Sequence, residues 1–237
     1  MTSPTFPFPS ASAAGEPRNR RGPISLWPLV TVVTVCVLAF IGLSVAIAPP
    51  SIVDPNGTAL PYNFKSERGS ITLLSSGMFL VAACLAGVAL FTVRAERGRP
   101  RQLWIALTAA MTYFSIDEVM GFHEAAGDLL DEHVPTGPFR TYNDVVVIVY
   151  GLIAVPLALL LWREVLRYQR LLTMLLIAGV LYVATSSVDT LTVNATAAST
   201  VIEEGIKVCC STYFALSMLT GLMAARWRYG QRTDDGR

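Results

Sequence analysis

Residues Leu103 to Glu132 read LWIALTAAMTYFSIDEVMGFHEAAGDLLDE. The first part is an apolar run of the length that crosses a bilayer. The second is a dense group of acids around one histidine. Asp117, Glu118, His123 and Glu124 stand at or just beyond the end of the apolar run. Ionisable groups there are costly to place, so their default reading is a functional site. This stretch therefore predicts both a membrane helix and the position of any chemistry on it.

The rest of the chain agrees with a membrane setting. Its 237 residues are 53% hydrophobic and 15% charged, with a mean hydropathy of +0.51. Soluble domains carry nearer a quarter charged residues. Six apolar blocks approach or exceed the roughly 20 residues that a spanning helix needs. They are Ile24–Ala48, Ile71–Val93, Leu103–Phe122, Val145–Trp162, Leu171–Val188 and Ala197–Ala225. The short alternating segments of a membrane barrel are absent, and backbone in hydrocarbon must satisfy itself, so the blocks are expected as helices. The fold class expected is an all-α polytopic membrane protein with six spans.

Threading six spans from a cytoplasmic amino terminus puts 14 of the 18 Lys and Arg residues inside. Lys65, Arg68 and Arg140 fall outside, and Lys207 lies within the last span. This bias predicts both termini in the cytoplasm. Twelve of the 17 acids fall on or toward the outer side. The basic face is what membrane insertion produces, so membrane lipids are the partner expected and nucleic acid is not. Arg dominates Lys among the basic residues, which points to a GC-rich bacterial genome and so to a bacterial inner membrane. Residues 1–23, rich in Pro, Ser, Ala and Arg, read as a disordered cytoplasmic tail. Residues 24–226 form the expected transmembrane domain, and 227–237 a second cytoplasmic tail. The Ala46-Ile47-Ala48 triplet has the look of a signal cleavage site, but the apolar region before it is long and Pro49-Pro50 follows, so an uncleaved span is expected.

Depth is the main functional signal. The predicted topology brings Asp117, Glu118, His123 and Glu124 to the outer end of span three. It brings Asp189 to the outer end of span five, and Glu203 and Glu204 to the outer end of span six. Helical spacing puts Tyr113, Asp117, Gly121, Glu124 and Asp128 on one stripe of span three, running as helix until Pro135-Thr136-Gly137-Pro138. Thr200, Glu203, Lys207 and Ser211 make a second stripe, and two such stripes are expected to face each other rather than lipid. Glu203 precedes Lys207 by four residues, the favourable order for an ion pair.

So many carboxylates need protons, basic partners or a cation. An oxygen-rich set suits Mg, Mn, Ca or Fe, with Asp117, Glu124, Glu203 and Glu204 as the expected divalent-metal ligands. Glu118 and His123 are the expected catalytic bases, acting on a bound water. Asp128, Asp131 and Glu132 read as a solvated helix face and His133 as a loop residue. Cys36, Cys84, Cys209 and Cys210 read as small packing residues. The D-E-x-x-x-x-H-E pattern at Asp117–Glu124, followed by the paired Glu203-Glu204, resembles a pattern in uncharacterised bacterial multi-spanning membrane proteins. The resemblance covers spans three to six and implies that these acids and His123 form one unit. It implies no activity. The function expected is a metal-dependent enzyme on a lipid or lipid-linked substrate. The alternatives are a non-catalytic subunit docking other membrane proteins, or a cation or proton transporter.

Overall fold

A computed structural model describes residues 25–47, 70–133, 142–191 and 197–230. The tail expected at 1–23, residues 231–237 of the tail expected at 227–237, the loop from Pro49 to Gly69 and the Pro135–Pro138 stop lie outside the described residues, while residues 227–230 belong to the last helix. The described residues form seven helices: α1 (Trp27–Ile47), α2 (Ser70–Thr92), α3 (Arg99–Met120), α4 (Phe122–His133), α5 (Asn143–Val165), α6 (Gln169–Leu191) and α7 (Ala197–Gly230). None of the described residues is in a strand.

Five of these helices are long and apolar enough to cross a membrane: α1, α2, α5, α6 and α7. Their outer faces suit hydrocarbon. Phe91, Leu159 and Val180 are each about 70% exposed, at 71%, 70% and 69%. Large apolar side chains left bare in continuous belts mark a surface that something apolar covers. α3 is more polar, because Thr108, Thr112, Ser115, Asp117 and Glu118 interrupt it. Two of those hydroxyls bond back to their own helix, Thr108 to the Trp104 carbonyl and Thr112 to the Thr108 carbonyl. That local bonding satisfies the hydroxyl without an outside partner.

α7 is the axis of the bundle. α2 and α6 pack along it, α3 packs against α2, and α1 rests on α7. α2 approaches its neighbours through Ala82, Ala86 and Ala89, all fully buried. Small residues at that spacing let backbones come close where no hydrophobic effect drives helices together. Ser76 and Ser115 exchange hydrogen bonds between α2 and α3, each hydroxyl donating to the other's carbonyl at 2.9 and 3.1 Å. α5 is held less closely, against α3, α4 and α6.

α3 reaches α7 through large side chains. Trp104, fully buried, lies edge-on to Tyr168 and fills the space beside Gly221. A Cβ at Gly221 would come within 2.6 Å of the Trp104 ring and 3.1 Å of Leu171. At Gly87, by contrast, a Cβ would meet only Thr108 at 4.0 Å. Gly221→Ala is therefore expected to destabilise the protein by about 1–3 kcal/mol, read as a lower unfolding midpoint in detergent, with Gly87→Ala close to neutral. Equal effects at the two positions would contradict this packing.

Candidate functional site

The site is built where α3 ends. Gly121 adopts φ +62°, a left-handed conformation, and its N–H donates to the Asp117 carbonyl at 2.7 Å. Glycine takes that conformation without a Cβ penalty, and such a residue is a common helix stop. The chain then re-enters helix at Phe122. This corrects the expectation of one continuous helix. The stripe from Tyr113 to Asp128 is cut at Gly121, and a helical wheel drawn through it misplaces His123 and Glu124.

The break folds His123 back onto Asp117. One carboxylate oxygen of Asp117 accepts the His123 backbone N–H at 3.0 Å, and the other meets Nδ1 of the ring at 2.9 Å. Asp117 thus closes the end of α3 with its carbonyl and caps the start of α4 with its carboxylate. An anionic side chain is favoured at a helix amino terminus, where N–H groups lack partners. The carboxylate selects the ring tautomer protonated at Nδ1, which leaves Nε2 as the basic nitrogen. Glu124 Oε1 lies 3.8 Å from Nε2. On a straight helix, five residues apart, Glu118 and His123 would flank the Asp117 stripe on opposite sides; with the turn at Gly121 both line one cavity.

Across the site, Lys207 of α7 places its Nζ 2.9 Å from Glu118 Oε1 and 3.9 Å from Glu204 Oε1. The spacing of the sequence pointed to Glu203 as its partner. The structure gives Lys207 a 2.9 Å partner on another helix, which ties the carboxyl-terminal end of α3 to α7. Glu203 accepts a hydrogen bond from Thr185 of α6 through its carbonyl, at 3.2 Å, and lines the cavity.

The cavity has a volume of about 130 Å³. Asp117, Glu118, His123, Glu203 and Lys207 supply its charged wall. Phe79, Phe114, Tyr150 and Tyr182 supply an aromatic one, and Tyr150 is hydrogen-bonded to Tyr113. These rings escaped the sequence reading, which followed charge. The signal available was a tyrosine inside each of two apolar runs, Tyr150 in the first half of α5 and Tyr182 in the second half of α6. Cys210 also lines the cavity, its thiol on the Ala178 carbonyl at 3.3 Å.

The remaining candidates fall elsewhere. Asp128, Asp131, Glu132 and His133 are exposed on α4, and the His133 ring meets the Leu129 carbonyl at 2.8 Å. Asp189 is in the last turn of α6, and its side chain lies outside the described residues. Among the described residues, no three His, Cys, Asp or Glu side chains converge as a metal ion requires. Of the four acids expected as metal ligands, Asp117 is held by His123, Glu124 stands on the far side of that ring, and Glu204 leans on Lys207. The two basic side chains meet part of the charge balance that a cation was expected to supply alone.

One protein family, described as a domain of unknown function (DUF8692), matches residues 26–222. The chain belongs to this family. The match runs from the start of α1 into the last third of α7 and takes in every residue of the site. No curated protein and no solved structure matches the chain.

His123 stands outside the apolar segments, on α4. Burial disfavours its charged form, but the hydrogen bond and charge of Asp117, with the charge of Glu124, outweigh burial and raise its pKa above 6.5. A raised folded-state pKa stabilises the protein fully below 6.5, and that contribution is lost as pH rises through the folded value. NMR titration of the imidazole is expected to show a midpoint above 6.5 in the wild type and a lower one in Asp117→Asn. The pH dependence of stability between those midpoints should flatten in the variant. A midpoint unmoved by the substitution would contradict the pairing.

Proposed function

We propose that the protein is a multi-pass enzyme of a bacterial inner membrane that acts on a lipid or lipid-linked substrate, with His123 as general base. In this reading α3 is the sixth span, both termini are cytoplasmic, and the cavity opens toward the outer face. The separation of charge supports that orientation: Arg94, Arg101, Arg167 and Arg228 stand at the end of the bundle opposite the acids, as the insertion rule favours.

The observation that carries the reading is the double hold of Asp117 on His123. A carboxylate on Nδ1 fixes the ring and supports the charge it gains when Nε2 takes a proton. Nε2 is then placed to accept that proton from water or from a substrate hydroxyl in the cavity. Glu118, the other base expected from the sequence, is committed to Lys207 at 2.9 Å and serves instead to position it. Among the described residues, the carboxylates of Asp117, Glu118, Glu124, Glu203 and Glu204 are set against Lys207 and His123, a balance that favours a positive ligand. A divalent metal on Asp117, Glu124, Glu203 and Glu204 is one such ligand. A cationic group of the substrate is another.

Transport is the weaker reading. The space leading from the cavity toward the basic end is a chamber with almost wholly apolar walls, and an ion or proton path needs polar steps.

The test compares lipid extracts, by mass spectrometry, from cells producing the wild type, Asp117→Asn or His123→Asn at equal membrane levels. At least one lipid is expected to change in amount with the wild type, and the change should disappear with either variant. Identical lipids in all three would contradict the enzyme and favour a non-catalytic subunit. Elemental analysis of the purified proteins decides the metal: one equivalent in the wild type, lost in Asp117→Asn, would assign the carboxylates as its ligands.

A further inference from the structure

A second cavity adjoins the first. It has a volume of about 530 Å³ and lies between α3, α5 and α6, with Phe79 of α2 and Phe214 of α7 at its back. Its walls are almost entirely apolar, and it is half open. Phe79, Phe114, Tyr150 and Tyr182 line both cavities, so an aromatic collar is the common boundary of the charged cavity and the apolar chamber. The size falls within the roughly 300–1,000 Å³ of ligand sites.

We propose that the two cavities hold one amphiphile, with its hydrocarbon tail in the chamber and a protonated amine head against Asp117, Glu118 and Glu203. The proposal rests on the lipid-substrate reading of this site and names the substrate class.

The tail follows from the walls. Water in such a chamber would lack the two to four polar partners that hold a buried water. A helix bundle bathed in lipid has hydrocarbon at hand to fill a half-open apolar space. α5, the most loosely held of the surrounding helices, forms its outer wall. Gly151 and Gly179 face the chamber with nothing within 4 Å of a Cβ at either position, so the space continues up to the backbone.

The head follows from the charge. Lys207 is the basic side chain best placed to receive an anion, and Glu118 already holds it at 2.9 Å. A phosphate or carboxylate head would therefore meet the carboxylates of Glu118 and Glu203, with Lys207 already engaged among the described residues. An ammonium head meets the reverse: carboxylates on one side and, on the other, a collar of four rings whose faces attract cations.

The experiment uses the full chain, purified in a non-ionic detergent, and four 16-carbon probes that differ only in their heads: hexadecylamine, hexadecanol, hexadecanoate and hexadecyl phosphate. Butylamine tests the head without the tail. Saturable binding of hexadecylamine is expected, with a raised unfolding midpoint. The other four compounds should bind at least about tenfold more weakly, the loss of one charge-assisted contact. Gly179→Phe should abolish amine binding by filling the chamber, and Gly151→Phe serves as an independent second plug. Equal binding of all four heads would overturn the amine assignment. Amine binding unchanged in both glycine variants would overturn the chamber. Amine binding that behaves as expected, in a protein whose cellular lipids do not depend on His123, would support this site and count against the enzyme reading, so the two fail separately.

Discussion

A half-buried lysine between two helices of an apolar bundle must have anions beside it. Lys207 meets that demand with Glu118 on α3 and Glu204 on its own helix. Isolated, either charge would be costly to keep away from water. Paired, they fix how far α3 stands from α7 at the acidic end, while Trp104 beside Gly221 fixes it at the other. The charged cavity lies at the Glu118–Lys207 brace, and the apolar chamber continues from it between α3, α5 and α6.

The second constraint is the turn at Gly121. Without it, α3 would carry Asp117 and Glu118 onward to a continuous helix whose next acids point away. With it, Asp117 closes one helix, starts another and grips His123. Substituting any side chain at Gly121 strains the backbone at φ +62° and brings the new Cβ within 2.9 Å of the Glu124 carboxylate. The helix stop and the acid–base pair are thus one local structure, and the spacing D-E-x-x-G-x-H-E is its sequence.

Much of this was legible in the chain itself. The apolar runs marked α1, α2, α5, α6 and α7, because a helix facing lipid needs no pattern beyond length. The depth of Asp117, Glu118, Glu203 and Glu204 pointed to one region, because charge is too costly to be scattered along such helices. Two things were not legible. Gly121 reads equally well as a place of close approach or as a helix stop, and only the backbone conformation decides. The cross-bundle partner of Lys207 is a matter of tertiary distance: four-residue spacing points to Glu203 on the same helix and carries no trace of Glu118 on a neighbouring one. The apolar chamber had no local signal either, since its lining residues look like any lipid-facing or core positions.

The account's central claim is that Glu118 and Lys207 act as one unit joining α3 to α7. A double-mutant cycle of unfolding in detergent, with Glu118→Gln, Lys207→Met and both together, tests it most directly. Each single change leaves one buried charge without its partner and should destabilise strongly. The double change should cost less than the sum of the two, with a coupling of about 0.5–3 kcal/mol. Strictly additive effects would contradict the claim, because two side chains that do not meet cannot rescue each other.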